Sequence, residues 1–462
     1  IRGKALFSSR TGKCLIIEMA AASTKDHYWF KSGIINILQN FSGTIINLAT
    51  FYILVRLLSK NDYGVWGIFL QTVVIAEVIR SGLIQSALIK FMSGSGKSEH
   101  SRIISASITI SGILTAILIL LSFAFAGTLA SLLKAPQLEE MFHLYTIVFF
   151  FSGLLTVFNC IEQANFSYSG VFASNFVRSS ILGAYLFVVY VFDLQTSLMS
   201  LVYVQIIATA ISSTIAWFYV RKYVNLAFSF SRDWAKKIFH YGKYAFATSV
   251  SSILSGTIDQ WMLAGIISPS ASGAFNIAVR IGNLIDIPTN AIATIVFPQS
   301  AKRIETEGKE AVKYLYEKSV GTILAIVIPV ILFLYIFDSL IIELLAGDKY
   351  ADTVPILNVT LLYCIFGPFG RQVGVILDSM GKTRTTFLIV IGNTCIILLL
   401  NYFLIRKYGV MGAAYATLIS NIIGFAIGQF ILWKELKVNA LNTFIYAFKF
   451  YPEFINKYIL KK

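Results

Sequence analysis

Stretches of about 20 mostly apolar residues recur twelve times along this chain, and they dictate the solvent it can fold in. At 1.5 Å per residue, each is long enough to cross a hydrocarbon core ~30 Å thick as a helix. They cover residues 30–54, 63–89, 103–126, 138–161, 170–192, 198–220, 241–267, 272–297, 319–337, 354–377, 384–404 and 410–433. Peptide groups in lipid must bond within their own segment, so each stretch is predicted to be helical. Of the 462 residues, only 13% are charged, against roughly 25% in soluble domains. Too little chain lies between the spans for a soluble catalytic domain.

The net charge of +15 would suit a nucleic-acid binder, but its placement argues otherwise. With a cytoplasmic N-terminus, 28 Lys and Arg fall on the cytoplasmic side. Six fall opposite (Arg56, Lys60, Lys134, Lys349, Arg406 and Lys407), and four lie inside spans. This bias puts both termini in the cytoplasm. The basic excess then reflects topology and anionic lipid, with no nucleic-acid partner. Residues 1–18 precede the first methionine, Met19, and lack the apolar region of a signal peptide. They are treated as a candidate over-extension of the reading frame; without them the bias is 24 to six.

The first span carries Asn36, Asn40, Gly43 and Asn47 on one helical face, and Thr248, Ser252, Ser255 and Asp259 repeat the 4-3-4 spacing 212 residues later. Ser42-Gly43-Thr44-Ile45 recurs as Ser255-Gly256-Thr257-Ile258, and Gly64 matches Gly273 at an offset of 209. Six spans per half, an even number, give both halves the same orientation, as parallel repeats about an axis normal to the membrane. The predicted fold is an all-α integral membrane protein with twelve helices in two six-helix lobes. The N-lobe is 30–220 and the C-lobe 241–433. A cytoplasmic segment, 1–29, precedes them; a basic linker, 221–240, joins them; and an amphipathic tail, 434–462, follows.

Catalytic signatures are missing, and no enzymatic activity or cofactor is expected. Gly94-Ser95-Gly96-Lys97-Ser98 imitates a phosphate loop, but Phe91 stands where that motif needs glycine. The four cysteines and four histidines show no metal-ligand spacing. No carboxylate pair sits in a sizeable extracytoplasmic loop.

The informative polar groups lie inside the spans. Arg80, Arg178, Arg280 and Arg371 would together cost on the order of 10 kcal/mol facing lipid, so a wet interior is the expected environment. Asn276, Arg280, Asn283 and Asn290 form a stripe with Asp286 beside it. The 209-residue offset lays Arg280 over Gln71 and Asp286 over Glu77, and Glu77 is spaced to pair with Arg80. Guanidinium binds phosphate oxygens bidentately and keeps its charge, which points to a phosphate or pyrophosphate substrate. The candidate binding residues are Arg280, Arg80, Arg178, Arg371, Asn276, Asn283, Asn36, Asn40, Asn47 and Gln71. Asp259, Glu77 and Asp286 are the candidates for ion coupling. The competing readings are snorkelling for Arg371, structural neutralisation of Arg80 by Glu77, and interhelical hydrogen bonding for the asparagines.

Two segments carry a resemblance. Leu57-Leu58-Ser59-Lys60-Asn61-Asp62-Tyr63-Gly64-Val65-Trp66, after a first span opening behind Trp29-Phe30-Lys31, resembles the Wzx-type polysaccharide flippases. So does Arg80-Ser81-Gly82-Leu83 leading to Lys90-Phe91. These flippases belong to the multidrug/oligosaccharidyl-lipid/polysaccharide exporter superfamily. The resemblance implies a MATE-like fold in a bacterial inner membrane. It implies transfer of an undecaprenyl-pyrophosphate-linked glycan to the periplasmic leaflet by alternating access, with a polymerase or chain-length regulator as a further partner. Multidrug exporters of this fold often carry an acidic residue in the first span, where this stripe offers only amides. A cation-coupled multidrug exporter is the alternative.

Overall fold

The structure, a computed structural model, describes residues 42–224 and 231–456. It is helical, with no strand among the described residues. A short apolar helix, α1 (Ser42–Leu57), leads in. It is followed by α2 (Lys60–Ser81), α3 (Gln85–Gly94), α4 (Lys97–Leu132), α5 (Gln137–Ala164), α6 (Ser169–Val191) and α7 (Leu198–Val220). Next come α8 (Arg232–Ile266), α9 (Pro269–Thr306), α10 (Lys309–Ile336), α11 (Asp338–Ala346) and a 3-10 segment, Asp348–Thr353. The chain ends through α12 (Val354–Cys364), α13 (Gly367–Ser379), α14 (Thr383–Tyr408), α15 (Val410–Leu436) and α16 (Ala440–Phe454).

Among the described residues, nine helical stretches are long and apolar enough to cross a membrane. The protein is a multi-pass membrane protein. Helices α8 and α9, at 35 and 38 residues, are ample in length but are not among the nine. Polar side chains interrupt both, and these are the helices that carry Asp259, Asn276 and Arg280.

The chain folds as two compact units. One gathers Ile1–Ile53, Arg80–Leu120 and Leu144–Lys243. Its core includes Ile84, Leu88, Met92, Ile103, Phe158, Ile161 and Ile238. The second span kinks here: residues 82–84 leave the helix between α2 and α3, and Gly242 presses on the break. A Cβ on Gly242 would fall 1.8 Å from the Leu83 carbonyl oxygen, so only glycine fits. Trp234 Nε1 donates to Glu99 Oε2 at 2.7 Å. The expected linker 221–240 therefore ends in structure that continues unbroken into α8.

The other unit gathers Leu54–Ile79, Leu121–His143 and Tyr244–Lys462. Val312, Tyr316, Leu324, Phe369, Ile376, Leu432 and Ala447 form part of its core. The tenth span breaks between Cys364 and Gly367, where Pro368, having no N–H to give, suits the first turn of α13. The false phosphate loop is a two-residue joint: α3 ends at Gly94 and α4 starts at Lys97.

Candidate substrate site

Within the second unit, α2, α8 and α9 supply one buried polar cluster. Asn276 is at its centre, 4% exposed. Its Oδ1 accepts from the Tyr63 hydroxyl at 3.0 Å and from Arg280 Nε at 3.0 Å, while its Nδ2 donates to Gln260 Oε1 at 2.7 Å. Tyr63 and Gln260 are each 2% exposed. Arg280 sits one helical turn beyond Asn276 and is half-buried. The amide thus fixes Nε, the inner edge of the guanidinium. That partner is a neutral amide, which orients the charged group. Position 276 was readable as the neighbour of 280 on one helix. Tyr63 and Gln260 were not, because their helices meet α9 only through packing.

A second buried group joins three helices. Asp259 of α8 is 6% exposed and accepts from Asn401 Nδ2 of α14 and, at 2.9 Å, from Thr417 Oγ1 of α15. Asn401 is fully buried, and among the described residues its Oδ1 has no hydrogen-bond partner. Two neutral donors thus hold the carboxylate, whose oxygens keep further lone pairs.

The other sequence candidates scatter. Arg80, expected to line a passage, is sunk in the first unit at 1% exposure. Its Nη1 donates to the Phe149 carbonyl at 2.9 Å and its Nη2 to Thr156 Oγ1 at 3.3 Å. Gly153 makes the room: a Cβ there would lie 2.8 Å from Arg80 Nη1. Arg80 is thus built as a tie between helices.

Asn47 and Asn175, with Ser42, Thr44 and Ser179, line an uncharged polar cavity of about 260 Å³ in the same unit. Arg178 is half-buried on the same helix as Asn175. Arg371 and Asp378 line a cavity of about 410 Å³ between α13 and α14. Asp286 abuts Gly367, with Arg371 within electrostatic reach. Asn283 is exposed, and Gln71 and Glu77 are half-buried. Asn36 and Asn40 lie outside the described residues, as do the side chains of Thr248, Ser252 and Ser255.

The family model described as "Polysaccharide biosynthesis protein" matches residues 53–355. The chain belongs to this family. A putative O-antigen transporter of Shigella flexneri is 22% identical over 418 residues, covering 88% of this chain and 98% of that protein. An uncharacterized membrane protein of Methanocaldococcus jannaschii is 26% identical, covering 82% of this chain and 78% of its own. Among solved structures, an inward-facing MATE family transporter of the MOP superfamily superimposes with a TM-score of 0.72 at 16% identity, over 86% of this chain and 95% of its own. The lipid II flippase MurJ gives 0.69 at 16% identity, over 90% of each chain. The fold is MATE-like, and the resemblance to Wzx-type flippases is borne out.

For a member of this family, the segment Leu57–Trp66 acquires a structural meaning. It presses the first half's helix ends against those of the second half, all within the second unit. Gly64 packs so tightly that a Cβ would fall 1.9 Å from the Pro269 carbonyl oxygen, and Gly273 meets Gly64 Cα. These two glycines, matched at an offset of 209 in the sequence, touch. Cations cap the helix ends around this contact. Arg56 donates to the carbonyls of Leu344 and Leu345 at 2.8 and 3.0 Å, and Lys349 reciprocates to Leu58 at 2.7 Å. Lys134 caps Ile266 at 2.9 Å, and Lys60 pairs with Asp352 at 3.0 Å. Burial, together with the charges of Arg56 and Lys60, holds the Lys349 ammonium below the ordinary lysine pKa.

Proposed function

We propose that this protein is a flippase for lipid-linked oligosaccharides. It carries undecaprenyl-pyrophosphate-linked units from the cytoplasmic to the periplasmic leaflet by alternating access between the lobes 30–220 and 241–433. The observation that carries this reading is Arg280, a permanent cation half-buried in an apolar bundle, its Nε fixed by the neutral amide of Asn276. A pyrophosphate is the substrate group that such a cation holds best. Two of the named relatives, an O-antigen transporter and a lipid II flippase, support the substrate class.

In this scheme Arg280, oriented by Asn276, holds the pyrophosphate. Arg80 is not carried forward. The helix-end contacts around Gly64 are the closure that must part on the periplasmic side. The protein works in a bacterial inner membrane with both termini cytoplasmic, beside a polymerase or chain-length regulator. Complementation tests the function: expression in a strain lacking its own flippase should restore surface glycan. Lipid-linked units confined to the cytoplasmic leaflet despite normal protein levels would defeat the reading.

Asp259 favours one further point. Its buried carboxylate suits a coupling cation or proton, and ion-coupled export also fits the multidrug alternative. Export of cationic drugs by purified protein in vesicles, with no rescue of surface glycan, would favour that alternative.

A further inference from the structure

Where α10 begins, α15 ends and α16 starts, the chain encloses a cavity of about 640 Å³ that the transport scheme does not use. Lys313, Gln429, Trp433, Lys437, Asn439 and Asn442 line it, with no carboxylate among the described lining residues. The carboxylates nearby are already engaged. Glu317 is 3% exposed, and its two oxygens accept from Asn439 N–H and Asn442 Nδ2, each at 2.9 Å. Glu435 is held by Lys382 at 2.5 Å, and the Glu310 contact to Lys313 is a solvent-exposed pair at 3.4 Å. Such a pair contributes little. The pocket therefore presents two ammonium groups and side-chain amides to whatever enters it.

Phe430 and Trp433 of its lining, and apolar side chains of the adjoining α16, are unburied. Phe430 is 63% exposed, Trp433 53%, Leu441 68% and Phe448 75%. In a membrane protein these side chains meet acyl chains, and a tryptophan beside lysines marks the depth where headgroups begin. Lys437 lies in the left-handed region, φ 56°, and its Nζ sits 4.5 Å from the Trp433 ring centroid, which keeps the ammonium at the mouth. Helix α16 is docked firmly alongside. A Cβ on Gly321 of α10 would lie 2.7 Å from the Thr443 carbonyl oxygen, and the Tyr451 hydroxyl donates to the Ala325 carbonyl at 2.6 Å. The pocket floor is thus preformed.

We propose that this pocket binds the headgroup of an anionic phospholipid. Lys313 and Lys437 take the phosphate as point charges, the amides take its ester and hydroxyl oxygens, and the acyl chains lie along Phe430 and the outer face of α16. The size suits one headgroup with the first carbons of its chains. The inference needs only a membrane-embedded bundle and does not rest on the flippase reading.

Native mass spectrometry of the full-length protein, released from nanodiscs of mixed phosphatidylglycerol and phosphatidylcholine, tests it. Wild type should retain phosphatidylglycerol with a preference of about tenfold or more. The double variant Lys313→Gln/Lys437→Gln should fall to near parity. The control Lys236→Gln/Lys237→Gln removes the same charge elsewhere and should keep the preference. Equal retention by the Lys313/Lys437 variant and wild type overturns the proposal, as does equal loss in the control. Displacement by millimolar inorganic phosphate alone would assign the pocket to a soluble phosphate compound and also overturns it.

Discussion

Arg80 and Arg280 look alike in the sequence: each is a lone guanidinium deep in an apolar span, at the same nominal cost. The fold treats them in opposite ways. Around Arg80 the first unit closes completely, with a backbone carbonyl, a threonine hydroxyl and the space left by Gly153 absorbing the side chain. Around Arg280 the second unit fixes the Nε edge through Asn276 and leaves the residue half-buried. A buried cation whose partners are fixed backbone and hydroxyl oxygens is structural glue. In the proposed function, one that is oriented by a neutral amide and only half-buried is the one that meets the ligand. The difference lies in the surroundings that tertiary packing supplies, not in the arginine.

The largest effect expected from breaking this contrast is at Arg80. Arg80→Ala would remove the tie to the Phe149 carbonyl and the Thr156 hydroxyl and open a cavity, at about 3–5 kcal/mol. Membrane-inserted protein should fall sharply in abundance, read by quantitative blotting of membranes. Asp259→Asn comes next. It keeps the shape but turns one acceptor oxygen into a donor facing Asn401, so export should drop about tenfold, near 1.4 kcal/mol. Its dependence on an imposed ion gradient should also flatten in vesicle transport. Tyr63→Phe removes one of the three bonds on Asn276 and should cost about 1 kcal/mol, seen as a modest fall in export at unchanged abundance. Smallest of all, Lys60→Gln breaks an ion pair whose side chains are 35% and 65% exposed, worth well under 1 kcal/mol. Its melting temperature in detergent should match wild type.

Much of the fold was legible because hydropathy needs only one helix at a time. The apolar stretches became helices, and the glycines at 64 and 273, matched by the repeat, proved to be in contact. Asn276 and Arg280 were legible together for the same reason, being four apart on α9. What the sequence hid depends on pairings between distant segments. Asn401 and Thr417 reach Asp259 from 142 and 158 residues away, and no periodicity within α8 announces them. Nor could spacing tell that Phe149 would offer its carbonyl to Arg80, or that the linker before residue 241 would run straight into α8. Helix breaks at 82–84 and after Cys364 were also invisible to a hydropathy window, since Gly82 and Pro368 barely change its average.

The most direct measurement is the leaflet location of lipid-linked glycan in cells carrying Arg280→Ala, at membrane levels equal to wild type, with Arg280→Lys alongside. Accessibility to a periplasmic glycan-modifying probe reports translocation. The expected result is near-complete loss of accessible glycan for Arg280→Ala and partial recovery for Arg280→Lys, which restores the charge without the planar fork. Wild-type accessibility in Arg280→Ala would contradict a cationic site at this position and remove the foundation of the proposed function.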